Sequence, residues 1–419
     1  MNYIKLGVSL FLLVFFVSCS KKPAAFFSGY KLHSFSFRPY IQPYYGGINA
    51  LFNDGSFFIP VVDVSNLHLM KFDKNSNFLN EKIYPSGQKD YTDIFTANNR
   101  LLAVGYTSSN LSFFATMYDA NGNVVWDSTY QFKYGFIESV CCCVGTDGTA
   151  TLAIGCYTTD STSPSAYFAT IGSAGSLVDL KPQTGMPGYL KCLPMVVRAG
   201  NDGGFYCTGY YLCYNKASGL APALGSQFLL KSDVAGATQW FKKWAAPADG
   251  ATPVIPLDLV CSTGGSIATV AIINPYNSGQ TYFRNYAGIG NKVGSIAACS
   301  YDSQNGVVTD SIVVDNNKDL FCQIIATPDG GYITSTTSNL DVNSTTHYPH
   351  ILLTKTNDHF DKQWSRTYSF DYNDYVAFGF WQVNQGYQIG GIHTNIVSNQ
   401  LNEGMFFLRT DLNGNLTDY

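Results

Sequence analysis

One phrase returns seven times along the chain, and no other feature restricts the fold as tightly. It is a turn signal followed by an apolar strand. It reads Asn53-Asp54-Gly55 before Phe57 to Ile59, Asn98-Asn99 before Leu101 to Gly105, Asp147-Gly148 before Leu152 to Gly155, and Asp202-Gly203-Gly204 before Phe205 to Gly209. It continues as Gly264-Gly265 before Ile267 to Ile272, Asp329-Gly330-Gly331 before Tyr332 and Ile333, and Asn384-Gln385-Gly386 before Tyr387 to Gly390. Asp-Gly and Asn-Gly pairs take up positive φ at little cost, so each occurrence predicts a hairpin.

A second phrase follows each of the first, an apolar strand running into a polar turn. It spans Met70 to Asn77, Phe114 to Asn123, Phe168 to Gly175, Leu229 to Gly236, Ala298 to Gly306, Leu352 to Phe360 and Phe407 to Asn415. Asp73, Asp119, Asp233, Asn357 and Asp411 hold one register in it, with Lys71, Lys231, Lys355 and Arg409 two residues earlier. Trp126, Trp240 and Trp364 share a further register, as do Tyr84, Tyr130, Trp244 and Tyr368. Each unit is thus four strands over about 45 to 65 residues, the size of a propeller blade rather than a solenoid repeat. The composition agrees: 13% charged and 15% aromatic residues with 39 glycines favour short strands and tight turns over helices.

The fold expected is therefore all-β, a seven-bladed β-propeller of four-stranded antiparallel blades. The last unit stops before its outer strand, and Tyr30 to Phe37 has strand composition. The N-terminal strand is expected to complete the last blade and close the ring, leaving no open edge for another chain. The combined pattern of Asp-Gly-Gly, apolar strand, Gly-Tyr-Thr-like loop, apolar strand, Lys-x-Asp-x-x-Gly and Trp is similar to the bacterial seven-bladed β-propeller repeats of secreted and lipid-anchored proteins. That resemblance spans nearly the whole chain after its leader and implies a scaffold rather than a reaction. Blade five departs most, with Gly288 to Asn291 in place of a clean strand and turn.

Ahead of the repeats, Met1 to Lys5 carries one positive charge, Leu6 to Val17 is almost wholly apolar, and Val17-Ser18-Cys19 closes the stretch. The run is short for a membrane span and has the layout of a signal peptide. Its end resembles the lipobox of bacterial lipoproteins, which implies cleavage before Cys19 and acylation of that thiol. The expected organisation is a signal peptide at 1–18, a tether at 19–29 and the propeller at 30–419. The tether resembles lipoproteins of the Bacteroidota without the acidic cluster that marks surface export, which favours the periplasmic side of the outer membrane. A net charge of -4 and no basic cluster argue against nucleic acid as a partner. A monomer bound to the membrane through its lipid is expected.

The turns of both phrases fall on one face of such a ring. The other face takes the longer loops between second and third strands and between blades, where binding residues gather on rigid scaffolds. Candidate ligand contacts there are Tyr210, Tyr211 and Tyr214 in blade four, Tyr276 and Tyr282 in blade five, Tyr348 in blade six, and Tyr372 and Tyr375 leading into blade seven. Aromatic faces beside amides and carboxylates suit sugar rings or peptides, though tyrosines also simply cap propeller rims. His347 and His350 form the one close histidine pair, with Asp341 or His393 as a third metal ligand, but Pro349 between them favours a solvated loop. Asp73, Asp119 and Asp411 begin stretches that look like calcium loops and lack the later bidentate acid, so they are read as hairpin turns.

Acidic residues recur near the starts of the innermost strands: Asp93, Glu138, Asp258, Asp319 and Asp374. They could ring the channel mouth for acid and base work, with Glu138, Asp319 and Asp374 the catalytic candidates, yet their registers differ and a structural role is the better reading. Ten cysteines follow Cys19. Most sit in apolar strands as small core residues, Cys207 and Cys213 are the pair to test for a disulfide, and Cys141 and Cys143 should share a face opposite Cys142. The function that follows is a non-catalytic binding or assembly module for a glycan, peptide or envelope protein, without a cofactor. The alternative is a carbohydrate-active enzyme using carboxylates at the channel mouth.

Overall fold

The turn in each repeat shows why its residues recur. In blade three the Gly148 N–H donates to the Gly145 carbonyl at 3.0 Å, and the Gly145 N–H to the Thr149 carbonyl at 2.8 Å. Gly148 stands at φ 81°, the left-handed position that closes a three-residue hairpin loop. The Asp147 carboxylate accepts from the Thr149 N–H at 3.0 Å and its hydroxyl at 2.7 Å. Blade two makes a shorter loop, with Asn98 and Asn99 both at positive φ between the paired residues Ala97 and Arg100.

The computed structural model describes residues 30–34, 51–62, 66–145, 147–158, 163–184, 189–213, 227–243, 254–262, 264–277, 292–319, 321–338, 350–369, 374–383, 385–397 and 400–417. They form a seven-bladed β-propeller of antiparallel sheets, with no helix among them. Blade two is representative: inner strand Lys89–Ala97, then Arg100–Thr107, Ser112–Asp119 and outer strand Val124–Gln131. In blade one the described residues supply the outer three strands, Phe57–Val62, Asn66–Phe72 and Phe78–Pro85. Blade five, where the repeat is least regular, has four ordinary strands, Ile255–Cys261, Ile267–Asn277, Lys292–Tyr301 and Val308–Asp319. Gly288 to Asn291 lies outside the described residues.

Third strands are buried on both faces because a neighbouring blade covers each side of the sheet, and they read as continuous apolar runs for that reason. Phe113 through Tyr118 are all buried. The cores lie between blades: Leu102, Val104 and Phe113 of blade two pack with Cys142, Leu152 and Ile154 of blade three. Burying a phenylalanine in such a seam is worth about 1.5–3 kcal/mol.

The ring closes as expected. Tyr30–Ser34 pairs antiparallel with Gln400–Asp411, setting Lys31 opposite Phe407, and becomes the outer strand of blade seven. Residues 35–37 lie outside the described set. Across the closing seam Phe57 of blade one packs on Trp381 at 4.8 Å, and Phe72 on Phe407 at 4.9 Å.

The recurring aromatic registers are latches between successive blades. The Tyr84 hydroxyl donates to the Gly122 carbonyl in the next blade's outer turn. Tyr130 reaches Gly175 in the same way at 2.7 Å, and Tyr368 reaches Gly414 at 2.5 Å. Gln183 takes this place in blade three, its amide 3.0 Å from the Gly236 carbonyl. The Trp126 indole N–H donates to the Ser173 carbonyl at 2.9 Å. A Cβ at Gly175 would stand 2.8 Å from the Trp126 ring, so glycine is needed there for space as well as for its φ of 82°. The recurring lysines have an equally local purpose: Lys231 pairs with Asp202 at 2.6 Å, and Lys355 with Asp329 at 2.9 Å, joining the third strand to the first turn of its own blade.

Candidate functional site

Strand order puts both turn series on one face and the second-to-third loops and blade links on the other. Residues 214–226, 278–291 and 339–349 of that second face lie outside the described residues, and with them Tyr214, Tyr282, Tyr348, His347 and Asp341. Tyr372 and Cys19 also lie outside them. Tyr210 and Tyr211 differ from the loop placement expected of them. The strand Phe205–Cys213 runs on through both, and they are 6% and 4% exposed in cores on opposite sides of the sheet. Tyr276 likewise falls within the strand Ile267–Asn277, opposite Val293, and Tyr375 within Asp374–Val383, opposite His393. His350 opens the strand His350–Thr356 and is half-buried. Among the described residues no group of three or more His, Cys, Asp or Glu is placed to hold a metal ion.

The acidic candidates separate. Asp319 ends the outer strand of blade five instead of starting an inner one, and Asp374 opens the inner strand of blade seven. Glu138 is half-buried where the pairing of the blade three inner strand shifts by one residue. Asp93 and Asp258 turn out to be equivalent. Each directly follows a β-bulge in its inner strand, opposite Val104 and Val270 respectively.

Both carboxylates are buried and bind backbone. Asp93 Oδ1 accepts from the Ile94 N–H at 2.8 Å, and Oδ2 from the Cys142 N–H of blade three at 2.8 Å. Asp258 Oδ1 accepts from the Leu259 N–H at 2.8 Å, and Oδ2 from the Ile324 N–H of blade six at 3.1 Å. Each carboxylate thus clips its blade to the next. Arg198, on the inner strand of blade four, adds a guanidinium contact to Asp258 Oδ1 at 3.1 Å while lying 5.5 Å from the Phe95 ring of blade two. Its side chain, 14% exposed, thus touches blades five and two. Burial pushes the Asp93 carboxyl up to about 7, against the pull of the Cys142 N–H and Arg198. Burial likewise raises Asp258 to about 6, opposed first by Arg198.

This ring position was not seen in the spacing of the sequence because the turns differ in length. Counted from the pairs that close the turns, Ala97–Arg100 and Ser262–Ser266, Asp93 and Asp258 stand at the same distance. An aspartate before an aliphatic residue inside an apolar run, Asp93-Ile94 and Asp258-Leu259, was the available signal. Arg198 had none.

The aspartates that resembled calcium ligands use their oxygens within their turns. Asp119 Oδ1 accepts from the Asn121 and Asn123 N–H groups, both at 2.8 Å, and Oδ2 from the Asn123 side chain at 2.8 Å. Burial opposes ionisation of this carboxyl, and these hydrogen bonds outweigh it, holding the pKa below its usual value.

No family model matches the chain, and no curated protein matches it. Solved structures with a similar fold include the WD40 domain from Toxoplasma gondii coronin, at 8% identity and a TM-score of 0.47 over 93% of this chain and 88% of that one. The GH93 alpha-L-arabinofuranosidase of Fusarium graminearum is 10% identical with a TM-score of 0.44, over 82% of this chain and 97% of that one. A protein of unknown function from Dyadobacter fermentans is 10% identical with a TM-score of 0.39, over 66% and 79%. At these identities and scores none carries an activity over to this chain.

Proposed function

We propose that the chain is exported, cleaved and lipidated at Cys19, and acts on the periplasmic side of the outer membrane as a non-catalytic binding or assembly module. Its partner would be a glycan, peptide or envelope protein, met by the face opposite the Asp-Gly turns. The observation that supports this most is the engagement of the inner-strand carboxylates. Asp93 and Asp258 have both oxygens held by N–H donors and serve to join blades. A glycosidase of the usual kind needs two carboxyl groups free to face a substrate. The turn face is likewise occupied by latches between blades.

Glycan arrays and pull-downs from an envelope extract, using the chain from Ser20 onward, test the reading. Retention of a glycan or an envelope protein is expected, without turnover. Hydrolysis of an arrayed glycan that is lost in Glu138→Gln or Asp374→Asn would favour the carbohydrate-active alternative. Retention of nothing in either assay would remove the binding reading. The anchor is tested separately, since Cys19→Ser should release the protein from the membrane fraction.

A further inference from the structure

The link from blade two to blade three, Phe132 to Gly135, lies on the face opposite the Asp-Gly turns and directs aromatic side chains outward. Its ends are pinned: the Phe132 N–H donates to the Leu111 carbonyl and the Ile137 N–H to the Asn110 carbonyl, both at 2.8 Å. Phe132 and Ile137 are buried, whereas Tyr134 is 44% exposed, Phe136 55% and Leu111 45%. Gly135 makes the bend between the two exposed rings. It stands at φ 142°, and a Cβ there would meet the Tyr157 carbonyl oxygen at 2.6 Å, so the bend requires glycine. Tyr134 stacks on Tyr167 of blade three, with centroids 4.9 Å apart and planes at 21°. Phe132 meets both rings edge-on, at 5.6 and 5.2 Å. Among the described residues, the other exposed large apolar side chains lie on outer strands or in the turns that follow third strands.

Single exposed apolar residues are ordinary, but a group of them held up by a buried aromatic cluster marks an interaction surface. Because the rings are already packed in place, a partner loses little entropy in ordering them. The chemistry selects the partner. Tyr167 is stacked on one face of Tyr134, and Lys133 Nζ stands over the ring at 5.6 Å from its centroid, so neither face is bare for a sugar. Leu111 and Phe136 carry no hydrogen-bonding side-chain atom, and sugar hydroxyls pressed against them would go unsatisfied. An apolar side chain suits that surface, and the exposed Lys133 ammonium attracts a carboxylate beside it. We propose that Leu111, Lys133, Tyr134 and Phe136 hold a segment of a protein partner in which an apolar residue is flanked by an acidic one. The inference rests on the binding reading above and selects a peptide or protein over a glycan.

The test is an array of short N-acetylated, C-amidated peptides with a central Leu, Phe or Ser flanked on both sides by Asp, Ser or Lys. It is probed with the chain from Ser20 onward, which holds every blade. Leu-centred and Phe-centred peptides should be retained, most strongly with Asp flanks and least with Lys flanks, and Ser-centred peptides should not be. Phe136→Ser and Leu111→Ser should each weaken retention of the Asp-flanked peptides by about tenfold or more. Their melting temperatures should stay as in the wild type, since both side chains stand on the surface. Lys133→Glu should reverse the order of the Asp and Lys flanks and leave the Ser-flanked peptides as they were. Val125→Ser, on the outer strand of blade two, is the control and should alter nothing.

Retention of no peptide would overturn the proposal. Retention of peptides or glycans that is unchanged in Leu111→Ser, Lys133→Glu and Phe136→Ser would also overturn it, while leaving the binding reading to another part of the loop face. A glycan held by the wild type and lost in Phe136→Ser would keep the surface and overturn the choice of partner. Sedimentation should show a monomer; a dimer abolished by Phe136→Ser would assign the surface to a second copy of this chain and overturn the proposal as well.

Discussion

Blades five and six hold the same ring position in opposite ways. Asp258 is saturated, bonded to Leu259, Ile324 and Arg198. Gln323, at the equivalent place opposite Ser335, is 1% exposed, and neither its Nε2 nor its Oε1 has a partner. The difference teaches that a polar side chain at this position is not satisfied by default. It is satisfied where it is short enough to reach the next blade's amide, and a longer amide at the same point gains nothing from being there.

The largest way to break that comparison is Asp258→Ala. It leaves the Arg198 guanidinium without its carboxylate and the Leu259 and Ile324 N–H groups without an acceptor. Removing one member of a buried ion pair costs about 3–5 kcal/mol, and a fall of that size in the unfolding free energy measured by urea titration is expected. A loss no greater than that of Gln323→Ala would show that the carboxylate is not a clip.

The pH dependence sharpens it next. Asp93 titrates near 7 in the folded protein and near 3.8 when exposed. The folded state therefore holds the extra proton between these values, and its contribution to stability is fully present below about pH 4 and is lost as pH rises through about 7. The slope is at most about 1.4 kcal/mol per pH unit. Asp258, raised to about 6, adds a smaller effect of the same sign. The turn aspartates act oppositely. Asp119 and Asp411 have depressed pKa values, so their contribution is lost as pH falls below the ordinary carboxylate range. Urea midpoints measured from pH 4 to 8 should decline with pH in the wild type and decline less in Asp93→Asn.

A smaller effect is expected at the latches. Tyr130→Phe keeps the ring packed on Phe113 and deletes one hydrogen bond to Gly175, at a cost of about 1 kcal/mol. A change within error would mean that water replaces the bond.

The blades were legible because hairpin turns use a few residue types for local backbone reasons, and strands covered on both faces are apolar throughout. The Tyr84, Tyr130 and Tyr368 register was visible as recurrence, but the acceptor lies in the next repeat, and spacing within a repeat does not reveal it. The ring position was hidden by a β-bulge and by a two-residue turn in blade two against the three-residue turns of blades three to six. Tyr210 and Tyr211 read as a rim loop because tyrosine is ambiguous between core and surface, and only the pairing with Leu193 and Cys192 shows the strand continuing. The same continuation removes the Cys207–Cys213 pair. Six positions along one strand separate the two by about 20 Å, far beyond disulfide reach.

Gln323→Met is the smallest expected effect and the finest test. Methionine has nearly the same length and no group to satisfy, so it fills the same space opposite Ser335 without the burden of a buried amide. An amide buried with no partner costs about 1–3 kcal/mol, while lost packing at the thioether offsets part of the gain. The expected outcome is an unfolding free energy unchanged or raised by up to about 1 kcal/mol. Destabilisation by more than that would mean that ordered water bonds the amide at this seam. Blade six would then be clipped through water where blade five is clipped by a carboxylate, and the contrast between the two would be one of partner rather than of presence.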